Sequence, residues 1–230
     1  MNTGLFSTSC FCVLITFISY WGGVSLKKHF RFALFNPLLA AIVFSLVLIT
    51  LLKITPSDYQ TGNETLHFFL TPATICLAIP LYEQISLLRN NLTALLIGIV
   101  SGVITNLVLI FLLASAFHLS RTEFITILPK SVTTAIGLSL SEELGGIVSI
   151  TVLVIAITGV LGSMIGESIC RIFHITEPLA QGIGIGTASH VIGTSKALEL
   201  NPAAGAASSL SISLAGIITV LFSSFTVSLY

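Results

Sequence analysis

Lys130 lies inside a hydrophobic run of residues 124–141, in the stretch Leu128-Pro129-Lys130-Ser131-Val132-Thr133-Thr134-Ala135-Ile136-Gly137. An ammonium group among apolar residues is costly in a bilayer, so a lysine here reads as functional by default. Taken as a helix, Lys130, Thr133, Thr134, Gly137 and Ser141 fall at i, i+3, i+4, i+7 and i+11, one polar stripe on an apolar rod. Pro129 cannot donate to a preceding turn, so a half-helix is predicted to start there, with the amides of Lys130, Ser131 and Val132 lacking intrahelical acceptors. Unpaired amides, the positive end of a helix and a lysine together describe a seat for an anion. The bland alternative is a lysine near a helix end whose ammonium snorkels to the headgroups.

A second candidate stretch is Gly182-Ile-Gly184-Ile-Gly186-Thr187-Ala188-Ser189-His190-Val191-Ile192-Gly193-Thr194-Ser195-Lys196. So much glycine among hydroxyls suits an unwound backbone lining a cavity better than a lipid-facing helix. Ser189, His190, Gly193 and Thr194 are its candidate binding residues, and His190 carries a ring whose ordinary titration range is physiological. Lys196 and Glu199 fall near the end of this run, at the membrane interface. The third candidate stretch is Thr71-Pro72-Ala73-Thr74, followed by Pro80, inside the run 66–88. Thr71 is placed to cap a half-helix opened by Pro72, with Thr74 in its first turn; a purely structural proline kink is the alternative.

The elements that position these residues are membrane spans. Only 8% of the 230 residues are charged and 54% are hydrophobic, with mean hydropathy +1.05. Soluble domains carry about a quarter charged residues, so the chain reads as integral to the membrane. Nine basic and nine acidic residues balance, which gives no electrostatic reason to expect a nucleic-acid partner. The opening residues lack the basic segment and small-residue cleavage site of a removable signal peptide. Cys10, Cys12, Cys76 and Cys170 sit in or beside apolar runs and read as small hydrophobes. No cofactor or metal motif is present.

The predicted architecture is all-α, a polytopic membrane protein of about eight hydrophobic passes. It reads as a two-repeat, transporter-like bundle with broken helices in a single domain, 1–230, whose halves are about 1–117 and 118–230. Residues 5–26 and 32–52 are the first two spans, and Lys27, Lys28, His29 and Arg31 between them mark a cytoplasmic loop. A polar loop is expected over 53–65, and spans over 92–118, 147–166 and 203–230. Gly98-x-x-x-Gly102 and the series Gly159, Gly162, Gly166 are places for close helix contact. Glu142-Glu143 reads as a hydrated loop. Interrupted runs at corresponding places in two halves are the best sequence pointer to a transporter's binding site. Here they are residues 71–74 and 187–190.

Three stretches carry a family resemblance: Phe69-Leu-Thr-Pro-Ala-Thr-Ile-Cys-Leu-Ala-Ile-Pro-Leu-Tyr82, Leu128-Pro-Lys-Ser-Val-Thr-Thr134 with Ser141-Glu-Glu-Leu-Gly-Gly146, and Gly186-Thr-Ala-Ser-His190 with Ile192-Gly-Thr194. In this order they resemble the signature segments of the LrgB/CidB (YohK-like) family, over nearly the whole chain. Departures fall at Ala135, where the family often has proline, at Val191, where it often has Ala or Gly, and at Lys196, where it often has Arg. The resemblance implies a multi-pass protein of the bacterial inner membrane working beside a smaller membrane protein of the LrgA/CidA type. It also implies antiholin-like control of murein hydrolases and autolysis. A related plastid protein exports glycolate and glycerate, and bacterial relatives are linked to pyruvate traffic.

Two functions are therefore expected to compete. One is a secondary transporter for small monocarboxylates, with Lys130 opposing the carboxylate and the amides after Pro129 and Pro72 binding its oxygens. Ser131, Thr133, Thr134, Ser189 and Thr194 would read the neighbouring hydroxyl or keto oxygen, and His190 would bind or couple protons. The other is an antiholin-like regulatory subunit acting by assembly. Expected partners are the monocarboxylate, the LrgA/CidA-type protein, the lipid bilayer and a second copy of the chain. An intramembrane enzyme is disfavoured, because adjacent Ser189 and His190 on a helix diverge by about 100°.

Overall fold

The computed structural model describes residues 9–29 and 37–230, without the side chains of Leu70, Thr71 and Thr74. Arg31 of the basic cluster, and the first residues of the predicted first two spans, lie outside the described residues. The described chain is all-helical, and it divides into two compact units, Met1–Cys76 and Leu77–Tyr230.

In the first unit, α1 (Ser9–His29) ends on Lys27, Lys28 and His29, where cations complement the helix dipole. It packs on α2 (Pro37–Leu51), and Gly23 permits the approach, since a Cβ there would collide with the Pro37 carbonyl. The segment read as a polar loop folds instead into α3 (Pro56–Gly62), capped by Thr55 Oγ1, which accepts from the Asp58 amide at 3.2 Å. Thr55 followed by Pro56 is a helix-start signal that the surrounding polarity masked. Thr16 ties α1 to α3 through Tyr59 Oη at 2.6 Å and donates to Asn63 Oδ1 at 3.2 Å.

α4 (Glu64–Cys76) corrects one expectation: the helix continues through Thr71 and Pro72, with the proline inside rather than at a new start. No half-helix opens there, so Pro72 exposes no cluster of first-turn amides. The run does break, but later, at Leu77 and Gln84, and the chain turns again at Asn91 just beyond it. These breaks set off two short helices, α5 (Ala78–Glu83) and α6 (Ile85–Asn90).

The second unit is built on α7 (Leu92–Ala116), α10 (Val148–Ile172), α11 (Pro178–Leu200) and α12 (Pro202–Leu229), with α8 (Arg121–Ile127) and α9 (Thr134–Leu144) between α7 and α10. Among the described residues four helices, α1, α7, α10 and α12, are long and apolar enough to cross a membrane. The pair α2 and α3, bent by 118°, makes five if it is one span. Eight full passes are not confirmed among the described residues, where the third, fifth and seventh runs are each divided into shorter pieces. Outward residues such as Leu109, Leu112, Leu153 and Leu221 are exposed, as lipid-facing side chains are in a chain that spans a bilayer.

The core of this unit gathers Phe124 and Leu128 with Val103, Leu107 and Ile110 of α7. Tyr230 stacks on Phe124 with centroids 4.2 Å apart and donates its hydroxyl to the Leu119 carbonyl at 2.5 Å, with the Ala114 carbonyl at 3.2 Å. α8 starts in a capping box, Ser120 with Glu123. A buried hydroxyl chain then locks α8, α9 and α10 together. Thr151 Oγ1 donates to the Thr126 carbonyl at 2.9 Å, so the 2.7 Å contact with Ser141 Oγ is one in which Ser141 donates. Thr151→Val keeps the shape but strands Ser141, which is fully buried. A loss of about 1–3 kcal/mol in unfolding free energy is expected, measurable by denaturation in detergent.

Candidate functional site: a half-buried lysine beside a broken helix

The Lys130 segment is a turn, not the first turn of a helix. α8 ends at Ile127, the Lys130 amide donates to the Ile127 carbonyl at 3.1 Å, and the Val132 amide donates to the Pro129 carbonyl at 3.2 Å. The half-helix starts five residues later than expected, at Thr134, with Thr133 at its N-cap in extended geometry and no side-chain cap. Pro129 sits in the turn because two hydrophobes pin it, Leu128 at 0% and Val132 at 2% exposure. Two consequences correct the sequence reading. The amides of Lys130 and Val132 are satisfied, and the helix amides without intrahelical acceptors are those of 134–136. The polar stripe is also divided: Gly137 and Ser141 are buried on α9, whereas Thr134 is exposed and Lys130 and Thr133 precede the helix.

Lys130 is half-buried, and its ammonium donates to Ser131 Oγ at 2.9 Å. Ser131, itself buried, makes a longer 3.4 Å contact to Asn106 Oδ1 in the middle of α7. Among the described residues no carboxylate pairs with Lys130; the ion pairs are those of Glu167 with Arg171 and Lys196, and of Lys196 with Glu199. Lys196 and Glu199 thus join a charged group at the ends of α10 and α11, away from the apolar middle of either helix.

The seventh run breaks where glycine and hydroxyl content predicts. Within α11, Ser189 (φ −133°, ψ 16°) and His190 (φ 42°, ψ −142°) leave the helical region, separating half-helices over 178–188 and 191–200. A positive φ at a branched-ring residue is a strained conformation held by its surroundings. α10 supplies that hold. His190 Nε2 lies 2.9 Å from the Ile155 carbonyl, which only accepts, so Nε2 carries the proton and Nδ1 is the nitrogen left to gain or lose one.

Glycines make room for the break. A Cβ at Gly159 would come within 2.6 Å of His190 Cε1, and one at Gly162 would overlap Ser189 Oγ and Cβ. The second half-helix is fastened by Thr194, whose hydroxyl donates to the His190 carbonyl at 3.0 Å and receives Ser208 of α12 at 2.6 Å. Thr194 is therefore spoken for, and Gly193 is there because a side chain would strike Ser189 Cβ at 2.6 Å.

The two irregular segments meet α10 within about one turn. Gly137 of α9 rests on the Ile155 side chain, while His190 bonds the Ile155 carbonyl. α7 links them from the other side: Gly98 faces Ile183, Gly102 faces Thr187 so closely that an added Cβ would lie 2.9 Å from Oγ1, and Asn106 faces Ser131. The predicted close contact at Gly98 and Gly102 is thus made with the first half of α11. A groove of about 430 Å³ runs along this seam, lined by Asn91, Ala94, Gly98, Ile183, Gly184 and Thr187 among others.

Of the predicted site residues, Lys130, Ser131, Thr133, Thr134, Ser189, His190, Gly193 and Thr194 all belong to the second unit, around these two irregular segments. Thr71, Pro72 and Thr74 belong to the first unit, on a continuous helix. Asn106 was missed. A lone amide in the middle of the uncharged run 92–118 is the signal that should have singled it out.

The LrgB-like family model matches residues 16–229. The antiholin-like proteins LrgB of Bacillus cereus (strain B4264) and Bacillus anthracis (strain CDC 684 / NRRL 3495) are each 34% identical over 215 residues, 93% of this chain and 94% of theirs. No solved structure matches the chain. A family match across nearly the full length, with relatives at this identity, leaves one conclusion: the chain is a multi-pass membrane protein belonging to the LrgB-like family.

Proposed function

We propose that the protein is a secondary transporter of small monocarboxylates of the pyruvate, glycolate and glycerate class in the bacterial inner membrane. The observation that carries this reading is Lys130, a half-buried ammonium with a hydroxyl partner and no carboxylate among the described residues. A cation so placed favours an arriving anion, and a carboxylate offers the charge together with two acceptor oxygens. The opening amides of α9, at 134–136, and of the second half of α11, from 191, replace those once expected after Pro129 and Pro72 as the positive helix ends.

Ser131 and Thr133 are the hydroxyls nearest the lysine in sequence, and Thr134 is exposed at the start of α9. Ser189 and His190 stand at the α11 break. His190 Nδ1 is the atom through which a proton would couple to transport. The break itself, where glycines of α10 leave room for Ser189 and His190 and the His190 ring meets the Ile155 carbonyl, is the element able to move. No cofactor enters this scheme.

A second reading is favoured by the relatives' name, antiholin-like protein. In it the chain is a regulatory subunit that modulates murein hydrolase activity and autolysis by assembling with a small LrgA/CidA-type membrane protein and with copies of itself. Reconstitution separates the two. Purified protein in proteoliposomes, with and without the small partner, is expected to take up labelled pyruvate, glycolate or glycerate. Absence of flux for all three acids in both preparations removes the transport reading.

A further inference from the structure

We infer that Asn106 is a specificity-determining residue of the Lys130 site, whose side-chain N–H groups recognise the oxygen on carbon 2 of a 2-oxo- or 2-hydroxy-monocarboxylate. The inference rests on the monocarboxylate reading of that site. Its starting point is the direction of one short hydrogen-bond chain.

An ammonium group has no acceptor, so in the 2.9 Å contact Lys130 Nζ donates and Ser131 Oγ accepts. The Ser131 hydroxyl proton then goes to the next acceptor within reach, Asn106 Oδ1 at 3.4 Å. This fixes which end of the amide faces the serine: Oδ1 inward, the NH₂ group turned away. The far ends of the chain are consequently all donors, two further N–H bonds on Lys130 and two on Asn106.

Asn106 is only half-buried, on α7 among apolar neighbours, with Val103 and Leu107 buried beside it. A polar amide among apolar neighbours is costly unless its hydrogens find acceptors. A monocarboxylate without a second oxygen saturates the lysine and leaves the amide unanswered. An acid with a keto or hydroxyl oxygen on carbon 2 offers a second acceptor next to the carboxylate, and the amide hydrogens of Asn106, joined to Lys130 through Ser131, are the donors this chain leaves to take it. The same donor set disfavours cations, which would face only hydrogens.

The test is selectivity in proteoliposomes, measured by competition of unlabelled pyruvate and unlabelled propionate against labelled pyruvate uptake. Propionate has the same carbon chain without the keto oxygen. Wild type is expected to prefer pyruvate, and Asn106→Leu, which keeps the branched shape without the polar atoms, is expected to lower that preference about tenfold, the loss of roughly one good hydrogen bond. Asn106→Asp, which sets a carboxylate two bonds along the chain from Lys130, is expected to abolish uptake of both acids while the protein still inserts and elutes normally.

An equal loss of both acids in Asn106→Leu, or no change in their ratio, overturns the inference, since a residue that only orients Ser131 would not distinguish them. That outcome leaves the transport reading standing. Failure of wild type to move any of these acids is a different result and strikes the transport reading itself.

Discussion

Lys130→Met is expected to reduce monocarboxylate uptake roughly 10- to 100-fold or more in proteoliposomes, with insertion and elution unchanged. The size follows from removing a charge-assisted hydrogen-bonding group that, in the proposed transport function, meets the substrate carboxylate, worth about 1.5–3 kcal/mol. The intact fold follows from what Lys130 does not do. It pairs with no carboxylate among the described residues, so its removal strands no buried counter-charge. Ser131 keeps Asn106 as an acceptor, and Leu128 and Val132 still pin the turn. Lys130→Arg keeps the charge and is expected to retain part of the flux. Unaltered uptake in Lys130→Met, or a fold that collapses with it, points to a structural lysine instead.

Gly162→Ala is expected to be the most damaging single methyl in the second unit. The added carbon would occupy the space of Ser189 Oγ and Cβ, at a residue whose backbone is already non-helical. Forcing α10 and α11 apart there costs about 1–3 kcal/mol as an overpacking penalty. Flux is expected to fall further than stability suggests, because the strained His190 is the next residue. Ser189→Gly in the same chain removes both colliding atoms and is expected to restore much of the stability. Gly184→Ala is the control: nothing lies within 4 Å of the added carbon. Thermal unfolding in detergent and uptake measured on the four proteins decide this. A Gly162→Ala protein as stable and active as wild type shows that α11 is not held at its break by this contact.

What could be read in the sequence was whatever depended on a local pattern. The break at Ser189 and His190 was legible because a glycine- and hydroxyl-rich stretch cannot earn its place as a plain lipid-facing helix, and Gly98 and Gly102 were legible as a contact face. Proline misled twice. Pro72 marks no helix start because the chain around it remains helical, and Pro129 marks none because Leu128 and Val132 bury a turn at that point. Propensity at a proline names two outcomes, start or kink, and tertiary packing chooses between them. The count of about eight passes is not confirmed for a related reason, since hydropathy sums over a run and does not register the turns at Leu77, Gln84 and Asn91. The link from Lys130 through Ser131 to Asn106 spans 25 residues between serine and amide and has no sequence periodicity to announce it.

Equilibrium binding of labelled pyruvate to the purified protein in detergent, wild type against Lys130→Met, tests the central claim most directly, because it needs neither a membrane gradient nor a coupling ion. Saturable binding to wild type, displaced by glycolate or glycerate and weakened at least tenfold in Lys130→Met, is the predicted result. Binding of equal strength to both proteins would contradict the account, since the anion would then be held without the ammonium of Lys130.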